Sequence, residues 1–519
     1  MRVSRKEFVA LATGAVVGSV TGPRYAAASP QGGAPAGNAT APGSPSKRQP
    51  PQGLTDRVAT FIATARIDTF PQDVVEQGKR CLMDGFGVIL AGATTRGSEI
   101  LREQLHVSGG KPEASVLGVG RMKACVEMAA LANGASGHAM DFDDTQLSTT
   151  PDRTFGLLTH PTVPALASSL ALSERSGASG REFLEAFLIG LEVECKIAEA
   201  IDPNHYNRGY HSTGTIGTFA GAAAAAKLLQ QDRATIAHTL AIASSLGAGI
   251  RVNFGSMTKP LHAGRAAQNG VFAAQLASRG FTGGAEGLDG PWGFFQVCGG
   301  GADADRIAGV LGQPFAIVTP GVSVKPYPCG SLSHPSMDAM LKIVVDHDIQ
   351  PDQIEKIRVR AGSNILDPLR YKTAKTELEA KFCLPFLMTA LVLRRKAGMR
   401  EFTDEFVSSE PVQRMMPLVE PQFDPQIEAK GFDKMRSVIE VYLKDGRSFV
   451  QSSDERYRGG PERPFTQQEL REKFTDCAGL VLSEDRITRS LNLIESVDQL
   501  RDVRTLVAAM SPAGARRPR

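Results

Sequence analysis

Phe219-Ala-Gly-Ala-Ala-Ala-Ala-Ala-Lys-Leu-Leu229 is built almost wholly of side chains too small to hold two helices apart. Ala129–Gly137, Ile242–Gly249 and Ala263–Leu276 have the same character. Ala and Gly at this density let helix backbones approach closely, which belongs to a buried multi-helix core rather than a surface bundle. Helical spacing continues in the chain around these runs. Val58, Phe61 and Ile62 share one face, and Val74, Val75, Cys81, Leu82, Phe86 and Ile89 extend the pattern beyond Pro71. The spacing predicts an all-helical domain over residues 54–317.

The pattern changes near residue 318. Ile354-Glu-Lys-Ile-Arg-Val-Arg360 alternates apolar and polar side chains, and Val438-Ile-Glu-Val-Tyr-Leu443 leads through Asp445-Gly446 into Ser448-Phe-Val-Gln451. An Asp-Gly pair between two alternating runs is a hairpin signal, because both central positions of a type I′ turn need positive φ. Helical runs at Pro335–Val345 and Glu379–Leu393 lie between these strands, so residues 318–455 read as an α+β unit. Thr466-Gln-Gln-Glu469 then opens a helix as a capping box, and helical spacing continues through Leu470, Phe474, Ile487 and Leu491 to Met510. The expected fold class is mainly α. A large all-helical domain, 54–317 and 456–511, carries an inserted α+β lid domain, and residues 512–519 form a disordered tail.

Of the 519 residues, 42% are hydrophobic and 22% charged, which supports a large core and excludes disorder throughout. The 58 basic and 55 acidic residues leave +3. Arg2, Arg5, Lys6 and Arg24 against Glu7 account for all of it, so the body is neutral and lacks the clustered cations of a nucleic-acid footprint. Arg2, Arg5, Lys6 and Glu7 precede an apolar, Ala/Gly-rich run to Val20, and Pro23-Arg-Tyr-Ala-Ala-Ala28 follows it. This is the layout of an export signal over residues 1–28, and Ser4-Arg-Lys-Glu-Phe-Val9 resembles a twin-arginine motif with Lys as its second basic residue. The expectation is a periplasmic protein without stable membrane insertion, since the apolar run is too short to span a bilayer. Without such a signal the location would be cytoplasmic. Residues 29–53, rich in Pro, Gly, Ser and Ala, read as a disordered tether. The seven cysteines form no CxxC pair and indicate neither a zinc site nor a disulfide framework.

Several segments gather ionisable residues among small ones where helices start or stop, places that carry function disproportionately. In His138-Ala-Met-Asp-Phe-Asp-Asp-Thr145, His138 and Asp141 share a helical face, and Asp141, Asp143 and Asp144 form an acidic knot. That set could hold a hard cation, orient neighbouring bases, or cap a helix. His160, in Leu158-Thr-His-Pro-Thr162, is either a cap or a proton-transfer group. Gly209-Tyr-His-Ser-Thr-Gly-Thr215 places Tyr210, His211, Ser212 and Thr213 at a helix start, whose unpaired amides suit a small carboxylate. No P-loop pattern is present, so a nucleotide is not expected. Thr258-Lys-Pro-Leu-His-Ala-Gly-Arg-Ala-Ala267 supplies Lys259, His262 and Arg265, either a solvated helix end or a recess for a polyanion. In Val324-Lys-Pro-Tyr-Pro-Cys-Gly330 two prolines stiffen the backbone and could aim Lys325 across the domain boundary.

The joint order of these motifs, with Phe281-Thr-Gly283 after them, resembles the MmgE/PrpD family, the group of 2-methylcitrate dehydratase and cis-aconitate decarboxylase. Weaker family-like stretches are Met83-Asp-Gly-Phe-Gly87 and Glu379-Ala-Lys-Phe382, and the resemblance spans residues 54 to about 510. It implies a large helical domain built from both ends of the chain, a smaller inserted lid, and a homodimer. It also implies lyase chemistry on small di- or tricarboxylates with no metal and no cofactor. By match of motif it implies that Asp141, Thr145, His160, His211, Lys259 and Lys325 line the pocket. Three features depart from the family pattern: the stretch from Gln146 to Leu158, Phe386 in the lid helix where a Tyr often stands, and the export signal.

The chemistry expected is proton transfer α to a carboxylate, which needs a base and preorganised cations. Catalysis falls to His160, with His211 second, Asp141 and Lys259. Substrate binding falls to Thr145, Tyr210, Ser212, Thr213, His262, Arg265 and Lys325. Dehydration of a 2-methylcitrate-like hydroxy acid leads, decarboxylation of a cis-aconitate-like acid is the alternative, and epimerisation is third. The non-enzymatic alternative is an exported carboxylate-binding protein whose acid/base groups are idle.

Overall fold

The computed structural model describes residues 53–118, 120–146 and 159–511. The export-signal segment, the tether except Gly53, residues 147–158 of the Gln146–Leu158 departure, and the tail at 512–519 lie outside the described residues. The cysteines are free thiols. No helix among the described residues is long and apolar enough to cross a membrane.

Helices Gln72–Gly92, Val126–Ala139, Thr162–Ser176, Gly180–Ile201, Gly217–Leu228 and Thr258–Ala277 make the core of the helical part. The close approach expected from its Ala/Gly runs is present at two crossings. A Cβ on Gly134 would lie 2.8 Å from Gly264 Cα, and one on Gly264 would lie 2.3 Å from the Leu131 carbonyl oxygen. Helices Val126–Ala139 and Thr258–Ala277 therefore meet backbone to backbone. A Cβ on Gly270 would reach 2.3 Å from the Ala222 nitrogen, which presses Gly217–Leu228 onto the same helix. The first crossing sets the end of one helix, with His138, beside the start of the other, with Lys259. That juxtaposition founds the site.

The helical part is not wholly helical. Ala114–Ser115 pairs with Lys123–Ala124, and Thr145–Gln146 pairs antiparallel with Val322–Ser323. The second pair satisfies backbone groups where the chain leaves for the lid. One hydrophobic cluster runs from Tyr327 to Tyr457, whereas another unites Ile67 and its neighbours up to Val324 with Phe465 through Met510. The C-terminal helix Gln467–Ala478 starts at the capping box. The Thr466 hydroxyl accepts from the Glu469 N–H at 3.1 Å, and the Glu469 carboxylate accepts from the Thr466 N–H at 2.7 Å. The helix packs on Gln72–Gly92.

The lid is an α+β layer. Its strands lie in the order Val419–Phe423, Ile354–Ala361, Ser437–Leu443, Ser448–Ser452, with the first pair parallel and the others antiparallel. Ile357 faces Val441 and Val359 faces Ile439, all fully buried, so the alternation read from the sequence turns one face into core. Two details differ from expectation. The hairpin after Leu443 is not a two-residue type I′ turn. Leu443 N–H donates to the Arg447 carbonyl at 2.9 Å around a three-residue loop, and only Gly446 takes positive φ, at 88°. The helical run at 379–393 is split into Glu377–Ala380 and Leu384–Arg394, because Pro385 can only stand in the first turn of a helix. Phe386 is fully buried in the lid core, its ring 5.4 Å from that of Phe402 and 6.2 Å from that of Phe406. A hydroxyl there would meet the core, not a ligand.

Candidate active site

Where the helical part meets the lid, a recess is lined by Asp141, His160, His211 and Lys259 from one side and Lys325, Leu332 and Phe382 from the other. Each polar group is placed by the chain immediately around it.

Helix Val126–Ala139 ends two residues before Asp141, which takes φ 52°. Asp tolerates this left-handed conformation better than most side chains, and strained backbone of this kind clusters at functional sites. The turn presents the Asp141 carboxylate to two ammonium groups, Lys325 Nζ at 2.6 Å and Lys259 Nζ at 3.0 Å. Lys325 also donates to the Asp141 carbonyl at 3.0 Å. Burial pushes the Asp141 carboxyl up, and the two ammonium groups overcome it, holding the carboxyl well below its ordinary range. Lys259 lies within 5.2 Å of the centres of both the Phe254 and Phe382 rings, whose faces favour a cation. Behind them Lys473 donates to the carbonyls of Phe142, at 2.8 Å, and Lys325, at 3.0 Å, and pairs with Asp84 at 2.6 Å. One C-terminal lysine thus ties the Asp-rich loop to the entry of the lid.

Asp143 pairs with His138. Its two oxygens lie 2.9 and 2.8 Å from His138 Nδ1, and His138 Nε2 has no hydrogen-bond partner among the described residues. His160 is fixed at two points. Its main-chain N–H donates to Thr213 Oγ1 at 3.0 Å, and its Nδ1 lies 2.8 Å from the Asp144 carbonyl oxygen. A carbonyl only accepts, so Nδ1 carries the proton and Nε2 is left as a bare acceptor. The Asp144 carboxyl takes the Thr162 hydroxyl at 2.6 Å. His211 Nδ1 meets His262 Nδ1 at 3.0 Å, which requires one ring to donate and the other to accept. The rings of His138 and His160 are 4.6 Å apart, and those of His138 and His211 5.5 Å. Burial, reinforced by the nearby lysines, holds His160 and His211 well below the ordinary imidazole range. The recess therefore presents neutral imidazoles beside two ammonium groups.

Ligand atoms of His138, His160 and His211, and separately of His138, Asp141 and Asp143, lie within 4.8 Å of one another, a spacing a metal ion could use. A cation at either set would sit beside the ammonium groups that already neutralise Asp141. That repulsion makes both sets a poor fit for a metal.

The structure brings Asp141, His160, His211, Ser212, Thr213, Lys259 and Lys325 to the recess wall, with His262 directly behind His211. Three expected residues are not there. Thr145 is fully buried in the two-stranded pairing, its hydroxyl 2.7 Å from that of Ser323. Tyr210 stacks on His205 at 4.5 Å instead of facing the recess. Arg265 is exposed and donates to Gln268, because six residues beyond Lys259 on a helix amount to a turn of about 120° away from it. The sequence reading also missed lining residues: Thr159, Tyr206, Phe254 and Phe382. Tyr206 stands five residues before His211 in the polar run Asn204-His-Tyr-Asn207, a signal of the same kind as the motifs that were read. Its hydroxyl is buried without a hydrogen-bond partner among the described residues, and Arg251 covers its ring at 3.8 Å.

The chain is 27% identical over 470 residues to the cis-aconitate decarboxylase of Homo sapiens, covering 89% of this chain and 96% of that protein. It is 26% identical over 467 residues to that of Mus musculus, covering 88% and 93%. It is 23% identical over 481 residues to that of Aspergillus terreus (strain NIH 2624 / FGSC A1156), covering 88% and 96%. The MmgE/PrpD N-terminal domain matches residues 56–307 and the MmgE/PrpD C-terminal domain matches residues 327–499, so this chain belongs to the MmgE/PrpD family.

Proposed function

We propose that this chain, a lyase of the MmgE/PrpD family, decarboxylates a small unsaturated tricarboxylate of the cis-aconitate type by proton transfer from its own side chains. The observation that supports this most is the Asp141 carboxylate held by Lys259 and Lys325 next to neutral imidazoles. An anionic ligand can share those ammonium groups without bringing its own counter-ion. The names of the relatives favour decarboxylation over dehydration as the leading reaction.

In that reaction the C–C bond to the departing carboxylate breaks, and its electron pair forms a terminal C=C bond. The electrons of the old double bond take a proton at the vinylic carbon, so the products are carbon dioxide and 2-methylenesuccinate. The proton comes from His160, whose Nε2 faces no donor among the described residues, with His211 as the alternative. A trianion in the recess raises the proton affinity of both rings, so binding loads the acid it needs. Burial pushes the Tyr206 phenol up to about 12, which keeps it a hydrogen-bond donor to a substrate carboxylate. Dehydration of a 2-methylcitrate-like hydroxy acid is the second reading. It is supported by the same bare Nε2, which can take a proton α to a carboxylate, a step that epimerisation would share.

Purified protein incubated separately with cis-aconitate and 2-methylcitrate, with products followed by NMR, tests the proposal. Methylenesuccinate from the first is expected. Turnover of only the second would transfer the assignment to dehydration, and tight binding of both without turnover would leave a carboxylate-binding protein. Export by residues 1–28 and homodimer formation belong to the same proposal, checked by cell fractionation and sedimentation.

A further inference from the structure

We infer that Glu194 is a positioning residue, a neutral carboxylic acid that donates its proton to Thr159 Oγ1 and so turns the Thr159 hydroxyl hydrogen into the recess, toward a carboxylate of the ligand. The inference rests on the carboxylate reading of the recess.

Glu194 lies within helix Gly180–Ile201 and is fully buried. One of its oxygens shares a hydrogen with Thr159 Oγ1, and the other, Oε2, has no hydrogen-bond partner among the described residues. Thr159 lines the recess, one residue before His160, and its carbonyl is fixed by the Gln146 N–H at 2.9 Å. Only one hydrogen lies between the two side chains, so the state of Glu194 decides which way the threonine points.

An ionised Glu194 would have to accept. The Thr159 hydrogen would then turn inward, and bare lone pairs would face an incoming anion. That state also buries a carboxylate with a single neutral partner, a heavy desolvation cost. Burial, with the charges of Asp144 and Asp143 nearby, pushes the Glu194 carboxyl well above its ordinary range. A neutral Glu194 has two ways to hold its proton. On Oε2 the proton would be a stranded donor. On Oε1 it is used on Thr159, and only an acceptor oxygen is left unpaired, the less costly defect. The threonine oxygen is then occupied from behind, and its own hydrogen is free for the ligand. A hydroxyl that could otherwise accept or donate becomes a donor, which suits a carboxylate and disfavours a ligand that presents its own N–H or O–H at that point.

The full-length protein is tested with propane-1,2,3-tricarboxylate, which has no double bond to react, by calorimetry, and by infrared spectroscopy without ligand. At neutral pH the wild type should show a protonated-carboxyl stretch that Glu194→Gln lacks. Thr159→Val should bind about 10- to 100-fold more weakly, the effect of losing one donor to a charged group. Glu194→Gln keeps an N–H for Thr159 and should stay within about threefold of wild type, whereas Glu194→Leu frees the threonine to turn inward and should weaken binding several-fold. A wild-type spectrum identical to that of Glu194→Gln in the protonated-carboxyl region would overturn the inference. So would a Glu194→Gln loss as large as that of Thr159→Val. Failure of the wild type to bind any tricarboxylate would instead sink the functional reading, because the infrared result is obtained without ligand.

Discussion

Asp141 and Glu194 are buried almost equally, at 3% and 0% exposure, yet they end in opposite states. Asp141, at the recess wall, has two ammonium groups within 3.0 Å and is held far below its usual range. Glu194, one layer behind, has a threonine hydroxyl and acidic neighbours, and is held far above. Asp144 shares that rear layer, pushed up to about 7 by burial and by the charges of Asp84 and Asp143. Depth alone does not decide the charge of a buried acid. What decides it is whether another segment of chain delivers a cation, and here Lys259 and Lys325 come from opposite sides of the recess.

The sharpest way to break this division is at His160. His160→Ala should lower kcat by about 10²–10⁴-fold, the value of a positioned acid/base, in steady-state assays with cis-aconitate. Asp144→Asn should cost less than tenfold on the scale of a single hydrogen bond, because the Asp144 main-chain carbonyl, not its side chain, orients His160. Equal losses in the two variants would erase the distinction between wall and rear layer.

Lys325→Met comes next. It leaves the Asp141 carboxylate paired with Lys259 alone, and denaturant unfolding should report a loss of about 1.5–3 kcal/mol, the value of a hydrogen bond to a charged group, together with a raised KM. Adding Asp141→Asn should lower stability further, because it leaves the Lys259 ammonium buried without its counter-ion, while activity stays low. Recovery of stability in the double variant would mean that the Lys259 ammonium does not depend on the Asp141 carboxylate.

The two layers should also respond to pH with opposite sign. Folded His160 and His211 stay neutral below the ordinary 6.5, where the unfolded chain takes up protons, so they make stability fall as pH drops below that value. Asp144 keeps its proton in the folded state from its ordinary 3.8 up to about 7, so it makes stability fall as pH rises through that window. Each group contributes a slope of at most about 1.4 kcal/mol per pH unit. Asp144→Asn should therefore move the stability maximum to higher pH in urea titrations between about pH 5 and 8. An unmoved maximum would place Asp144 among the ionised carboxylates.

Smaller effects bound the wall itself. Tyr206→Phe should raise KM about 2- to 10-fold, the value of one hydrogen bond, with the fold unchanged. Arg265→Ala should leave turnover within about twofold, as for an exposed side chain clear of the recess.

Much of the wall was legible because ionisable residues among Ala and Gly at helix ends have few structural uses. Asp141, His160, His211, Lys259 and Lys325 were found in this way. Arg265 was over-read, although the helical period already turned it aside. Phe254 and Phe382 could not be read, since nothing in sequence separates an aromatic wall from an aromatic core. Phe386 shows the converse, because a lid-helix position compared by motif alone proved to point into the lid's hydrophobic core. Glu194 was hidden for another reason. It sits in an apolar helix, and its meaning depends on Thr159, which is 35 residues away in the chain. The close crossing of helices was foreseen from the small residues, but not that it would fall at Gly134 and Gly264 and so bring His138 to Lys259.

The convergence of distant segments on one proton-transferring recess is tested most directly by turning over cis-aconitate in deuterium oxide and examining the product by NMR. Wild type should yield methylenesuccinate with a single deuterium at the former vinylic carbon, and the His160→Ala/His211→Ala double variant should yield almost none. Unlabelled product, or product from the double variant at the wild-type rate, would contradict it.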